Sequence, residues 1–127
     1  MTDIDVSVAL PPSFESAQHI VAAERLGYRR AYLYDTPFEG DDVWLDLHRA
    51  AERTTTIELG PGVLVPTLRH PLVNAAQTVS LHRLAPGRVV TSFGTGFSSR
   101  AAMASRRSDG RIWRPTSVRT RHCWPER

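Results

Sequence analysis

The segment around Asp35 could place a carboxylate beside a ligand. Asp35 closes the apolar run at 31–34 and precedes a loop of turn residues at 36–40. A carboxylate in this position could hydrogen-bond a substrate or a cofactor. Alternatively, it could cap its own loop through nearby backbone N–H groups, as aspartate often does. Both interpretations stay open at the level of sequence.

Two glycine-containing stretches could bring bare backbone close to a ligand. Gly62 and Val63 interrupt an apolar run, and a glycine inside a strand usually marks a bulge or a close backbone approach. Thr95 and Gly96 follow the next apolar run, where bare backbone would admit a flat group and Thr95 offers a hydroxyl. The alternatives are a kink that serves packing in the first stretch and a simple turn in the second.

The sequence has no recognisable pattern of metal ligands or of a catalytic nucleophile with its base. His70 lies between Arg69 and Pro71 at a predicted helix start, where a lone histidine more often caps or packs than acts as a base. Histidines elsewhere on the predicted helices have no partner at metal-ligand spacing. Cys123 is the single cysteine, which excludes an intramolecular disulfide and a Cys-based zinc site. We therefore expect no metal site.

The composition is that of a globular chain whose charge is unevenly distributed. Of the 127 residues, 41% are hydrophobic and 23% are charged, which allows one domain. No apolar run approaches the ~20 residues that a membrane span needs, and the N-terminus is too acidic for a signal peptide, so we expect a cytoplasmic location. Residues 1–100 carry a net charge of −2, whereas residues 101–127, with seven Arg and two acidic residues, carry +5.

The first hundred residues alternate predicted strands with predicted helices. The apolar runs begin near positions 4, 31, 57 and 88, which are 27, 26 and 31 residues apart. This rhythm is typical of consecutive βα units and requires a parallel sheet with helical crossovers.

Helix boundaries are marked by residues suited to each end. Ser13 is predicted to cap the first helix and Gly27 to end it, while Asp42 favours the start of the second. Pro71 suits the first position of the third helix, whose predicted apolar face includes Leu72 and Val79.

Two architectures use this rhythm. A doubly wound sheet favours a glycine-rich turn directly after the first strand, but this chain has Pro11-Pro12 there. An eight-stranded barrel needs about 250 residues, so four units at this spacing make half of one. We predict an α/β fold that forms the first half, four βα units, of a (β/α)8 TIM barrel.

Four short motifs follow one another in order: GPGV at 60–63, RHP at 69–71, LAPGR at 84–88 and GTG at 94–96. Each is weak alone, but the ordered set after an acidic residue that closes the second strand is specific. With VAAERLGYRRAYLYDTP before them and FGTGFSSR at their end, these motifs make the chain resemble the luciferase-like monooxygenase superfamily. The resemblance is to its deazaflavin-dependent, methylenetetrahydromethanopterin-reductase-like branch and covers about 100 of the 127 residues.

The resemblance implies a flavin- or deazaflavin-dependent oxidoreductase. Members of this superfamily are (β/α)8 barrels that bind FMN or the deazaflavin coenzyme F420 at the carboxyl mouth of the barrel. They transfer hydride between the coenzyme and a small organic substrate, or oxygenate that substrate. The coenzyme carries the chemistry, while the protein orients its ring and excludes water.

The same resemblance assigns the candidate residues to the coenzyme. It implies that Asp35 lies beside the ring and that a bulge with a cis peptide at Gly62–Val63 backs the central ring. Thr95 and Gly96 would complete the contacts. Much of the phosphate grip in the superfamily comes from the second half of the barrel, so we expect this chain to be inactive alone.

Residues 101–127 depart from the superfamily. They have no helical apolar period, and we expect this Arg-rich tail, as a region distinct from residues 1–100, to be disordered or the product of a frameshift. The alternative function is a small basic nucleic-acid-binding or interaction protein that uses this tail, although it lacks a recognised module. A third possibility is a half-barrel that associates with another copy of itself.

Overall fold

The structure is a computed structural model that describes residues 4–108, and they form a parallel sheet covered by helices. Three strands are hydrogen-bonded to one another in chain order, and both pairings are parallel. Sequential order without a reversal is typical of a barrel arc and unlike a doubly wound sheet, whose order reverses at a switch point. The elements are β1 (Ser7–Leu10), α1 (Ser16–Arg25), β2 (Arg30–Leu33), α2 (Val43–Ala51), β3 (Glu58–Pro61), a short 3-10 helix (Pro66–Leu68), α3 (Pro71–Leu84) and α4 (Phe97–Ser108).

A fourth extended segment, residues 88–94, continues the sheet beside β3. It makes two isolated parallel bridges, Leu59 with Val89 and Leu64 with Phe93. Backbone hydrogen bonds join the two segments along their length, from Leu59 N–H to the Arg88 carbonyl (2.8 Å) through to Gly94 N–H and the Leu64 carbonyl (3.0 Å). The four predicted βα units are therefore present, and the predicted half-barrel arrangement is confirmed.

The third strand carries a one-residue bulge where the sequence predicted one. Five residue steps separate Leu59 from Leu64, but only four separate their partners Val89 and Phe93. The extra residue falls in the segment that contains the Gly62–Val63 peptide bond, and this bond is cis, as the resemblance implied. A bulge bends the strand and re-aims the residues that follow it.

The core lies between the sheet and the helices, on one face only. Alternate strand residues such as Ala31, Leu33 and Leu59 are fully buried against α1 and α2, as period-2 geometry requires. The helices contribute a matching set of buried apolar residues: Ala17, Ile20, Ala23, Val43, Trp44, Leu47, Ala50, Ala51 and Leu81.

Two long side chains fasten the amino-terminal edge of the sheet. Glu24, on α1, accepts hydrogen bonds through one carboxylate oxygen from the N–H groups of Thr55 (2.8 Å), Thr56 (2.6 Å) and Ile57 (3.0 Å). Arg88 donates to the carbonyl oxygens of Ile57 (3.0 Å) and, from its other branch, Thr54 (3.1 Å). Both residues hold the turn that leads into β3.

The start of α1 differs from the predicted one. Ser13 does not cap α1; the N-cap residue is Glu15, and the Ser13 N–H is bonded to the Ser16 hydroxyl instead. Gly27 ends α1 as predicted, with a φ of +82° that favours glycine. The predicted boundary at Arg100 falls inside α4, which continues to Ser108, and residues 109–127 lie outside the described part of the chain.

The predicted apolar face of α3 is wrong. Leu72 is 71% exposed and Val79 is 52% exposed, whereas the buried residues of α3 are Asn74 and Leu81. Asn74 is buried because its side-chain oxygen accepts a hydrogen bond from the Trp44 indole of α2 (3.3 Å).

Within residues 4–108, none of the helices has the length and apolar character required to cross a membrane. The same residues hold no group of three or more His, Cys, Asp or Glu arranged to bind a metal ion.

Glu24 is expected to make stability depend on acid pH. Burial raises the pKa of Glu24, but the hydrogen bonds from Thr56, Ile57 and Thr55 outweigh it and lower the pKa from 4.5 to about 2. The stabilisation is therefore complete above pH 4.5 and is lost as the pH falls towards about 2. Glu24→Gln should cost about 1–2 kcal/mol of unfolding free energy at pH 7 and flatten the acid loss, as urea titrations at several pH values would measure. The matched control is Glu15→Gln in the exposed start of the same helix; an equal loss there would contradict the assignment.

The chain is also expected to self-associate. Large apolar side chains are exposed on it, among them Ile4 (83%), Phe93 (68%) and Phe97 (83%), and the outer edge of β1 has no strand partner in the described residues. Exposed apolar surface and open sheet edges both favour association. Light scattering should give a mass that rises with protein concentration, and a monodisperse monomer with a sharp melt would contradict this expectation.

Candidate active site

The candidate residues converge at the carboxyl edge of the sheet. Because the strands are parallel, the segments after β2, after β3 and after the fourth extended segment all leave the sheet at this edge. They enclose a cavity of about 450 Å³. All five residues that the sequence analysis singled out line it: Asp35, Gly62, Val63, Thr95 and Gly96.

The glycines at this edge make room for protein side chains. A Cβ on Gly62 would lie 2.7–2.8 Å from the side chain of Tyr32, and a Cβ on Gly96 would collide with Val65. The space above these two glycines is therefore filled by the protein itself. Packing against Tyr32 explains why Gly62 has no side chain, and the contact of Gly62 with a ligand stays a prediction. Gly96 has a second requirement, because its φ is +67°.

The Asp35 side chain accepts its hydrogen bonds from the segment after β3 and not from its own loop. Its side chain is fully buried, and one carboxylate oxygen accepts a hydrogen bond from Arg69 at 2.7 Å. The other oxygen accepts from the backbone N–H of Val65 at 3.0 Å. Asp35 therefore joins the end of β2 to the segment after β3, and its backbone carbonyl accepts from the Ser99 hydroxyl of α4 (3.3 Å).

Arg69 is the residue of this edge that sequence reasoning missed. Its guanidinium pairs with Asp35 on one branch and with Asp42 on the other (2.9 Å), and its side chain is only 14% exposed. A signal was available in the sequence. A buried aspartate at a strand end needs a cation, and Arg69 is the one arginine in the three segments 34–42, 62–70 and 94–96 that leave this edge.

Asp42 and His70 cap the two helices that begin near this edge, α2 and α3. Asp42 accepts hydrogen bonds from the N–H groups of Trp44 (3.0 Å) and Leu45 (3.2 Å) and so caps α2. His70 caps α3 by accepting from Leu72 N–H (3.2 Å), which confirms the capping interpretation for this histidine. Asp42 uses its second oxygen for Arg69, so the cap of α2 and the buried ion pair share one carboxylate.

The electrostatics of the edge favour full ionisation of Arg69. Burial lowers the pKa of Arg69, but the hydrogen bonds and charges of Asp35 and Asp42 raise it by more, so the net shift is upward. No arginine is among the described residues that line the cavity. Arg100 lines a neighbouring cavity of about 480 Å³, which shares Thr95 and Phe97 with the first.

Sequence comparison finds a dehydrogenase and a reductase among the relatives of this chain. The chain is 35% identical over 94 residues to an F420-dependent glucose-6-phosphate dehydrogenase of Intrasporangium calvum, which covers 65% of this chain and 27% of that protein. It is 29% identical over 99 residues to the 5,10-methylenetetrahydromethanopterin reductase of Methanopyrus kandleri, covering 76% of this chain and 28% of that protein. The chain thus spans little more than a quarter of the length of these relatives.

The solved structure of the coenzyme F420-dependent tetrahydromethanopterin reductase of Methanopyrus kandleri has the same fold in the matched region. The TM-score is 0.71 at 27% identity, over 88% of this chain and 31% of that one. The family model described as luciferase-like monooxygenase matches residues 7–112. The ordered motifs, the consecutive βα units and this match lead to one conclusion: the chain belongs to the luciferase-like monooxygenase family.

Proposed function

We propose that this chain supplies the ring-binding side of an oxidoreductase site that uses the deazaflavin coenzyme F420. The observation that carries the proposal is the cavity at the carboxyl edge of the sheet, where Gly62, Val63, Thr95 and Gly96 come together. Ligand sites in sheets of this kind lie at the carboxyl ends of the strands. The F420-dependent relatives support the identity of the coenzyme.

The residues at the cavity suit a flat ring in size and chemistry. A volume of about 450 Å³ lies within the roughly 300–1,000 Å³ of small-molecule sites. Val63, 41% exposed, offers an apolar surface for a ring to lie on, and Thr95 offers a hydroxyl at its rim. When bound, the coenzyme would supply hydride chemistry, while these residues orient its ring and exclude water from one side.

Asp35 lines the cavity, but its carboxylate is buried. The two carboxylate oxygens accept hydrogen bonds from Arg69 and Val65, so Asp35 supports the site through these residues. Its contribution is to hold Val65 and Ser99, which line the cavity, in fixed positions.

The choice of F420 over FMN and of hydride transfer over oxygenation follows from the relatives. One of them is a dehydrogenase and the other a reductase, and both act on small organic molecules according to their names. We therefore propose hydride transfer to or from a small organic substrate. The nucleic-acid alternative depends on the tail, most of which lies outside the described residues, and the family match does not favour it.

The proposal predicts weak binding that depends on the ring. The described residues that line this cavity include no arginine, so they offer the coenzyme phosphate none of the charge-assisted contacts that are each worth about 1.5–3 kcal/mol, or tenfold or more in affinity. F420 added to the chain should shift the amide signals of Gly62, Val63, Thr95 and Gly96 in two-dimensional NMR without saturating at micromolar concentration. A phosphate-free deazaflavin should produce the same shifts at similar concentration. Tight binding, or shifts at other residues only, would contradict the proposal.

A second prediction separates packing from ligand approach at Gly62. Gly62→Ala should lower the free energy of unfolding by about 1–3 kcal/mol, because the new Cβ meets the Tyr32 side chain. Tyr32→Ala in the same chain should remove most of this added cost in urea titrations. The control is Gly27→Ala, where a Cβ meets nothing within 4 Å and only the backbone conformation is unfavourable. A cost at Gly62 that Tyr32→Ala leaves unchanged would contradict the packing account.

A further inference from the structure

We propose that Arg69 is the positioning residue of the cavity. By pairing with Asp35, it fixes the position of the segment after β3, which forms one wall of the cavity. We call the set of Arg69, Asp35 and Val65 the clamp. The identity of the ligand in this inference rests on the proposed function. The clamp itself rests on side-chain geometry alone, so the two can be tested separately.

The Asp35 carboxylate bonds to two groups of the segment after β3. It is fully buried, follows β2 closely and accepts hydrogen bonds from the Arg69 guanidinium (2.7 Å) and the Val65 N–H (3.0 Å). These two residues bracket the short 3-10 helix at 66–68. The whole segment between the bulge and α3 is therefore anchored at both ends to one carboxylate.

The Arg69 guanidinium bonds two carboxylates at the same time. One branch of Arg69 bonds Asp35, and the other bonds Asp42 (2.9 Å), which also caps α2. A planar fork can serve two carboxylates at fixed positions, whereas the compact ammonium of lysine presents a point charge. Arg69 thereby links the ends of β2 and β3 to the start of α2.

The clamp contacts the cavity wall through Val65 and Ser99. Val65 donates its N–H to Asp35, and it packs so closely against Gly96 that a Cβ on Gly96 would collide with it. The Asp35 carbonyl accepts from Ser99 in the first turn of α4. Both Val65 and Ser99 line the cavity, but Arg69 itself does not. Arg69 therefore acts through Asp35 and not by touching a ligand.

Replacing Arg69 by lysine keeps the positive charge but removes the planar fork that bonds Asp35 and Asp42 at the same time. A compact ammonium cannot hold both carboxylates in these positions. We expect the carboxylate to rotate or to admit water, and the Val65 N–H would then lose its acceptor.

The experiment measures amide exchange in the full chain by NMR, with no coenzyme present. Arg69→Lys should raise the exchange rate at Val65 N–H at least tenfold relative to Leu59 N–H, which bonds the Arg88 carbonyl in the sheet and reports global opening. Asp42→Asn keeps an oxygen for the cap of α2 but removes one charge from Arg69, so it should raise the ratio by a smaller factor of about three. The matched control is Arg83→Lys, in the exposed last turn of α3, which should leave the ratio unchanged.

The outcomes separate the clamp from the proposed function. An unchanged ratio of Val65 to Leu59 exchange in Arg69→Lys would overturn the inference, whatever the chain binds. If the ratio rises as expected, F420 is then added to the unaltered chain and to Arg69→Lys. Smaller shifts at Thr95 and Gly96 in the variant would support positioning of the coenzyme wall. Shifts absent from the unaltered chain would reject the proposed function and leave the clamp established.

Discussion

The buried ion pair between Asp35 and Arg69 is the interaction on which the carboxyl edge of this sheet depends. Asp35 is fully buried, so its charge requires both a counter-charge and hydrogen bonds, and it obtains them from Arg69 and Val65. Satisfying one carboxylate thus brings together the ends of β2 and β3, and through Asp42 also the start of α2. The Asp35 carbonyl also accepts a hydrogen bond from Ser99, so this residue connects α4 to the same edge.

Close packing between glycine backbone and larger side chains shapes the walls of the cavity. Gly62 faces Tyr32, Gly94 faces Val63, and Gly96 faces Val65 at distances that leave no room for a Cβ. The one-residue bulge at the end of β3 brings Val63 and Val65 into these positions. Glycine serves the ligand indirectly here, since it lets apolar side chains close the wall that a ring would touch.

The residues that line the cavity form what we propose as one side of a coenzyme pocket. It offers apolar surface, backbone and a hydroxyl, while the described residues that line it include no arginine. In the function that we propose, these residues orient the coenzyme ring and do not hold its phosphate.

The sequence by itself determined the features that depend mainly on neighbouring residues in the chain. They are the alternation of strands and helices, the end of α1 at Gly27, the caps of α2 and α3, and the bulge at Gly62–Val63. These are predictable because a cap or a positive φ restricts residue type locally. Only the tertiary structure decided the partner of Asp35, since Arg69 lies 34 residues further along the chain. The same holds for α3, where Asn74 is buried by its hydrogen bond to Trp44 while Leu72 faces outward. Periodicity marks a helix face as apolar, but which residues are buried depends on the element packed against it.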